Sequence, residues 1–420
     1  MANLILTQIK SLCGILENNE FLLSGAQMGR LNCIENAFLV IKNGLIESYG
    51  SMSDFNPSKW TDPSFEWIQA EGKFVLPCFV DSHTHIVFAK TREEEFVMRI
   101  KGKSYEEIAE AGGGILNSAK RLQAMSEEEL FTLAEKRLFE VISYGTGAIE
   151  IKSGYGLTVA DELKMLRVIK RLKAISPIPI KATFLGAHAF PKEYKENHQG
   201  YIKLIIDEML PVVVAENLAD YMDVFCDQGF FNVEECDQLL KAAAHYNLKA
   251  KIHGNELGFT GGVQVAVKNN ALSVDHLEYT GDAEIESLLN SNTMPVALPG
   301  CSFFLGIPYA PARKMIDAGL PVCLASDYNP GSTPNGRMGF VVALACSQMK
   351  LSPEEAINAT TINGAFALEL SNQLGSITVG KIGNVILTKP MQSLAIMPYF
   401  FGVDQVEKAI ISGKIFGSNQ

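Results

Sequence analysis

The sequence predicts an α/β protein: a (β/α)8 barrel of the TIM type, spanning residues 71–374, beside a small β-sandwich-like domain built from both chain termini, residues 1–70 and 375–420. Three observations predict it. Strand-like and helix-like segments alternate through the middle of the chain, and both ends are rich in short strands and turns instead. Five of the seven histidines, moreover, stand at the ends of strand-like runs. A parallel barrel collects its functional side chains at the C-terminal ends of different strands, so this clustering is what such an architecture would produce.

At the N-terminal end, Phe38 to Gly50 reads as a hairpin, because Asn43-Gly44 lies between apolar runs and that dipeptide supplies the backbone conformation of a tight turn. At the other end, Gly380 to Leu387 and Val406 to Phe416 read as strands, with Ser412-Gly413-Lys414 as a turn. Between them, the apolar run Phe74 to Val80 leads into Asp81-Ser82-His83-Thr84-His85 and is expected to be the first barrel strand, buried on both faces. Seven further strands are expected to end within 145–152, 180–188, 221–226, 248–253, 271–276, 294–298 and 321–327. Helical periodicity intervenes, for example over Glu127 to Tyr144, with Leu130, Leu133, Leu138 and Val141, and over Asp161 to Ile175. Eight strands alternating with helices over about 270 residues imply a closed barrel rather than a doubly wound sheet.

Composition narrows the function. The chain is 47% hydrophobic and 20% charged, as in an ordinary globular protein, and its net charge of -11 comes without any basic run. Nucleic acid and anionic membrane surfaces are therefore not expected as partners, and an anionic small molecule would need a local cation. No apolar stretch approaches the ~18 residues that span a bilayer. The N-terminus lacks the basic segment of a signal peptide, and the eight cysteines form no CxxC pair. These features predict reduced core thiols and a cytoplasmic location.

The chemistry is expected at the strand ends. His83 and His85 alternate along a strand, so both imidazoles face one way, roughly 6.7 Å apart along the backbone. His253 closes the fifth strand with Glu256 three residues on, His276 closes the sixth, and Asp327 follows the eighth. His83, His85, His253 and Asp327 would supply four nitrogen and oxygen ligands to one metal ion, a donor set without cysteine that suits a catalytic site rather than a closed structural one. A metal lowers the pKa of water from about 15.7 to about 7, equivalent to about 12 kcal/mol of proton affinity, whereas a positioned general base supplies about 3–5 kcal/mol. The ion is therefore expected to dominate catalysis, with carboxylates and His276 moving protons. His198 and His245 lie in loop or helical segments and carry no expected role.

The HxH at strand one, His at five, His at six and Asp at eight resemble the amidohydrolase superfamily, whose members hydrolyse C–N bonds on metal-containing barrels. Two-metal members bridge their ions through a modified lysine at strand four. Here that strand reads Tyr221-Met222-Asp223-Val224-Phe225-Cys226, which implies a single ion. Within the superfamily the chain resembles the imidazolonepropionase family over nearly its whole length. The similar segments are His83 to Phe88, Thr91 to Phe96, Lys152-Ser153-Gly154-Tyr155-Gly156-Leu157, Gly186 to Ala189 and Ser326 to Gly331. It departs at His253-Gly254-Asn255-Glu256, where the family often has Ala and an acidic residue between the His and the Glu.

The resemblance implies hydrolysis of 4-imidazolone-5-propanoate to N-formimidoyl-L-glutamate, a step of histidine degradation, with one divalent or trivalent ion, zinc or iron, and a homodimeric assembly. Arg92 is expected to clamp the propanoate carboxylate through its guanidinium fork, with Tyr105 as a further contact at that end. Tyr155 and His188 are expected to bind the ring, and Asn329, Gly331 and Ser332 to meet substrate or product. Glu256 is expected to orient or deprotonate the attacking water and to contact substrate. His276 would stabilise the developing oxyanion, and Asp327 or Glu256 would deliver a proton to the leaving nitrogen. Two other readings remain open on sequence: a deaminase of a cytosine or purine base, which would have no use for Arg92, and a non-catalytic assembly protein.

Overall fold

The computed structural model describes residues 2–103, 107 and 113–417. The chain begins with β1 (Asn3–Cys13), β2 (Cys33–Lys42), β3 (Leu45–Ser51), β4 (Phe65–Gln69) and β5 (Lys73–Pro77). The barrel strands follow as β6 (Phe79–Asp81), β7 (Thr146–Lys152), β8 (Ile180–Ala187), β9 (Tyr221–Cys226), β10 (Lys249–Gly254), β11 (Ser273–His276), β12 (Met294–Ala297) and β13 (Cys323–Leu324). The last three, β14 (Val385–Pro390), β15 (Val406–Ile411) and β16 (Lys414–Gly417), return to the first group.

Both termini build one eight-stranded sheet in the order β16-β15-β14-β5-β1-β2-β3, with β4 also paired to β1. β1 pairs with β4 over residues 3–7 and with β5 at residues 11–12, so the sheet forks along its length. Leu4, Leu6, Ile9 and Leu12 of β1, whose register shifts between Leu6 and Ile9, pack in one cluster with Leu39, Ile41, Val75, Leu387 and Ile410. The expected hairpin is β2–β3, turning at Asn43-Gly44 with both residues at positive φ.

Here the structure corrects the expected first barrel strand. Lys73–Pro77 pairs with β1 and β14, in the terminal sheet, and the chain crosses over at Cys78, whose N–H donates to Asn384 O at 3.0 Å. Only Phe79–Asp81 joins the barrel. One apolar run thus serves two sheets, which hydrophobicity alone could not divide. The eighth strand is likewise shorter than expected, at Cys323–Leu324.

The barrel strands are parallel and neighbour one another in sequence order. The seam between β6 and β13 is closed beyond the strands: Asp327 N–H donates to His83 O at 3.0 Å and His85 N–H to Tyr328 O at 2.9 Å. Three of the four residues that close this seam, His83, His85 and Asp327, are thus ones expected to bind metal. Helices seal the outside. Glu127–Ser143 begins with a capping box of Ser126 and Glu129 and buries Leu130, Ala134, Leu138, Val141 and Ile142 along one stripe. Each fully buried Leu, Ile or Val there contributes about 1.5–3 kcal/mol of transfer free energy.

Candidate metal centre and active site

β6 delivers His83 and His85 to the C-terminal mouth of the barrel, β10 delivers His253, and the turn after β13 delivers Asp327. Their donor atoms converge. The Nε2 atoms of His83 and His85 lie 3.2 Å apart, those of His85 and His253 3.4 Å, and Asp327 Oδ1 lies 3.6 and 3.7 Å from Nε2 of His83 and His85. Donors arranged tetrahedrally around an ion at 2.0–2.1 Å would be separated by about 3.4 Å. His83, His85 and His253 bring three buried nitrogens within 4.8 Å of one another, and Asp327 Oδ1 joins them from the side of His83 and His85, a spacing that suits a small cation.

Burial, with the nearby positive groups, holds both His83 and His85 well below the ordinary imidazole range, so they are neutral, as ligands must be. Burial pushes Asp327 up to about 6 against the pull of His276, and a cation beside it would draw it back down. Asp327 also carries a φ of 55°, in a region L-residues seldom adopt, and so does His276 at 87°. Backbone strain of this kind persists where the surroundings over-determine it; other residues, such as Leu157 and Lys350, also adopt positive φ, and these two are distinguished by their place at the site. The turn holds Asp327 firmly: Ser332 and Thr333 hydroxyls each donate to its Oδ2 at 3.2 Å, leaving Oδ1 aimed at the histidines.

Beneath the ligands lies a group of buried charges to which the sequence reading assigned no role. Asp275 Oδ2 accepts from His83 Nδ1 at 2.6 Å, and Asp223 Oδ2 lies 3.0 Å from His253 Nδ1. Lys152 Nζ joins the two, donating to Asp223 at 2.7 Å and lying 3.6 Å from Asp275, and it also donates to Glu150 at 2.8 Å. Lys251 contacts Glu150 and donates to Ser82 O at 3.0 Å. These five side chains have no exposed surface. Two ammonium groups face three carboxylates, and Asp327 above them adds a further negative charge. A divalent cation would neutralise the set. Asp275 fixes the tautomer of His83, with the proton on Nδ1 and the lone pair of Nε2 free for a metal, and Asp223 stands close enough to His253 Nδ1 to favour the same form there.

Across the mouth, Glu256 Oε2 lies 3.5 Å from His276 Nε2, and Glu278 Oε1 lies 3.6 Å from His276 Nδ1. Burial opposes a charge on His276, but these carboxylates together hold it well above its ordinary range. Glu256 is aimed by Asp227, whose Oδ2 accepts from the backbone N–H groups of Glu256 and Leu257 at 2.7 and 2.9 Å.

The other expected site residues surround this pair. His188 stacks on His85 with ring centroids 5.4 Å apart, and its Nδ1–H donates to Gly154 O at 3.0 Å. Burial lowers His188 to about 3, so it remains neutral. Tyr155 is buried, its ring 5.9 Å from His85. Arg92 donates through Nε to Ser118 Oγ at 2.8 Å, and its guanidinium lies against Gly331, where an added Cβ would meet Nη1 at 2.5 Å. The amide of Asn329 is engaged within its own turn, bonding Asp327 O, Ser332 Oγ and the N–H groups of Gly331 and Ser332, all at 2.7–2.8 Å. Tyr105 lies outside the described residues. Of the remaining histidines, His198 stacks on Phe190 at 3.6 Å and His245 is exposed at a helix end, neither near the site.

The model of the amidohydrolase family matches residues 74–416. A protein of Flavobacterium psychrophilum named imidazolonepropionase is 56% identical over 411 residues, 98% of this chain and 99% of that one. One of the same name from Christiangramia forsetii is 54% identical over 412 residues, again 98% and 99% of the two chains. Among solved structures, guanine deaminase of E. coli superposes with a TM-score of 0.75 at 14% identity, covering 100% of both chains. An adenosine deaminase of Xanthomonas campestris with bound zinc gives 0.68 at 15%, covering 99% and 92%. At such identities the structural likenesses speak for the fold alone.

Proposed function

The chain belongs to the amidohydrolase family and within it to the imidazolonepropionases, and from that membership we propose that it hydrolyses 4-imidazolone-5-propanoate to N-formimidoyl-L-glutamate in histidine degradation. The observation that carries the reading, beyond membership, is the convergence of four buried donors beside a carboxylate–imidazole pair and a guanidinium. His83, His85, His253 and Asp327 would hold one ion, zinc or iron, both of which accept imidazole and carboxylate. An ion held there supplies Lewis acidity that makes water nucleophilic near neutral pH.

The side chains would then divide the work. Arg92 binds the propanoate carboxylate as a fixed cation within a net acidic protein, and Gly331, by lacking a Cβ, gives it room. His188, Tyr155 and Asn329 with Ser332 would frame the ring, and Tyr105 is retained as a contact to its carboxylate end. Glu256 takes a proton from the attacking water. His276, charged between Glu256 and Glu278, donates to the oxyanion as the ring carbonyl becomes tetrahedral. Collapse of that centre breaks the ring C–N bond while Glu256 or Asp327 returns a proton to the leaving nitrogen.

We propose further that the protein works in the reducing cytoplasm, consistent with eight free cysteines, and that no membrane partner is involved; no helix among the described residues is long and apolar enough to cross one. We propose a homodimer, for which the exposed aromatic side chains Phe303 (55% exposed), Tyr399 (75%) and Phe401 (70%) offer apolar contact area. Sedimentation velocity tests the assembly.

The test of function is to add imidazolone propanoate to metal-loaded protein, follow loss of its ultraviolet absorbance, and identify formimidoylglutamate by mass spectrometry. No turnover of this ring, with ammonia released from guanine, adenine or cytosine instead, would replace the reading with a deaminase.

A further inference from the structure

Glu256, His276 and Cys301 bring a carboxylate oxygen, an imidazole nitrogen and a thiol sulfur within 4.8 Å of one another, beside the first metal centre and sharing none of its four ligands. We propose that these three side chains form a second, inhibitory site for a soft or borderline divalent cation such as cadmium, zinc or cobalt. Cys301 reaches it from the helix Pro299–Leu305, which follows β12, and the residue is fully buried. Its Sγ lies 3.6 Å from Glu256 Oε1, and the other oxygen of that carboxylate lies 3.5 Å from His276 Nε2. Glu256 therefore stands between a thiol and an imidazole, with its backbone fixed by Asp227.

A second observation marks the place as short of positive charge. Glu278, whose side chain is fully buried, lies 3.6 Å from the far nitrogen of His276, and its Oε2 has no hydrogen-bond partner among the described residues. His276 Nδ1 likewise has none. A buried carboxylate, Glu278, and a partly buried one, Glu256, thus share a single imidazole. A cation between Glu256 and Cys301 would relieve that imbalance. Its binding forms metal–sulfur, metal–oxygen and metal–nitrogen bonds, and the thiol proton and any proton on the bound imidazole nitrogen pass to solvent, with no change of oxidation state. The sulfur selects soft or borderline ions over magnesium and calcium.

Occupancy would engage the carboxylate that takes the water's proton and the imidazole that meets the oxyanion. Excess metal would then switch off an enzyme that the first ion switches on. The inhibitory half of the inference rests on the roles proposed above for Glu256 and His276. The binding half does not.

The first site contains no sulfur, so a thiolate band that is lost when Cys301 is replaced reports on the second rather than on the first or on the other free cysteines. Protein loaded with one equivalent of zinc is titrated with cobalt(II), recording the near-ultraviolet thiolate-to-metal charge-transfer band and imidazolone propanoate turnover on the same samples. The expected result is a band that saturates with one further equivalent as turnover falls at least tenfold, with magnesium producing neither effect. Cys301→Ala should keep the one-equivalent turnover, lose the band and require at least tenfold more cobalt for half inhibition. Cys301→Ser, of matching volume, serves if the alanine variant does not fold.

A wild-type titration without the band overturns the site. So does inhibition that persists unchanged in the Cys301 variants. A band with undiminished turnover overturns the inhibitory role. If the one-equivalent protein does not act on this substrate at all, the proposed function fails while the band still decides the site.

Discussion

Replacing Asp275 with Asn probes the buried charges that hold the proposed metal ligands. In the native protein its Oδ2 lies 2.6 Å from His83 Nδ1, 3.6 Å from Lys152 Nζ and 4.0 Å from Lys251 Nζ, and its Oδ1 accepts from Ser273 Oγ at 2.5 Å. The amide keeps an oxygen where the carboxylate had one, so His83 can still donate its Nδ1 proton and keep its orientation. What disappears is the negative charge that makes the imidazole a stronger donor and balances two ammonium groups. Partners of this kind, when mutated, weaken metal affinity about 10- to 100-fold, or about 1.4–2.8 kcal/mol. Competition against a chromophoric chelator measures the dissociation constant, and thermal melting of the metal-free variant separates affinity from folding. Turnover at saturating metal should fall less than affinity does. Asp223→Asn should act in the same way through His253. A dissociation constant within threefold of wild type in both variants would refute the idea that these carboxylates tune the site.

Glu256→Gln should keep its metal, by elemental analysis, and lose at least ~10²-fold in turnover, because an amide cannot accept the water's proton. Arg92→Ala should raise KM about 10- to 100-fold with metal content unchanged, the loss expected for a charge-assisted hydrogen bond of about 1.5–3 kcal/mol; an unaltered KM removes Arg92 from the carboxylate site. Gly331→Ala should produce a weaker version of the same defect, since its Cβ would lie 2.5 Å from Arg92 Nη1 and force the guanidinium aside. Chelation should abolish turnover and lower the melting temperature, with about 2.7 kcal/mol of stabilisation regained when the ion is restored at a hundred times its dissociation constant; full turnover in metal-free protein would take the ion out of the chemistry.

The convergence of the proposed metal ligands was legible because their signal is local and periodic. His83 and His85 alternate on one strand, and His253, His276 and Asp327 end apolar runs, which in a parallel barrel is enough to bring them to one mouth. The strand boundaries were less so. Val75 and Val80 lie in the same apolar run, yet Val75 packs in the terminal sheet and Val80 against the barrel. The decision between them rests on Asn384, more than three hundred residues away, whose carbonyl takes the Cys78 N–H. A hydrophobic pattern encodes burial, and both destinations are buried.

The supporting charges failed to stand out for a different reason, although they carried a signal of their own. Glu150 and Lys152 alternate on β7, and Lys251 and His253 on β10. Asp223 and Asp275 stand in apolar strands that an isolated charge would destabilise by several kcal/mol. Read singly, each looks like an anomaly to be neutralised by some unknown partner, because pairing depends on which strands become neighbours. Once β9, β10 and β11 are adjacent, Asp223 faces His253 and Lys152, Asp275 faces His83 and both lysines, and no charge is left alone. A charged residue at an inward position of a barrel strand thus implies an opposite charge on another strand at the same depth, and a surplus of one sign implies a cation above it. The surplus here is negative, and it lies directly beneath four converging ligands.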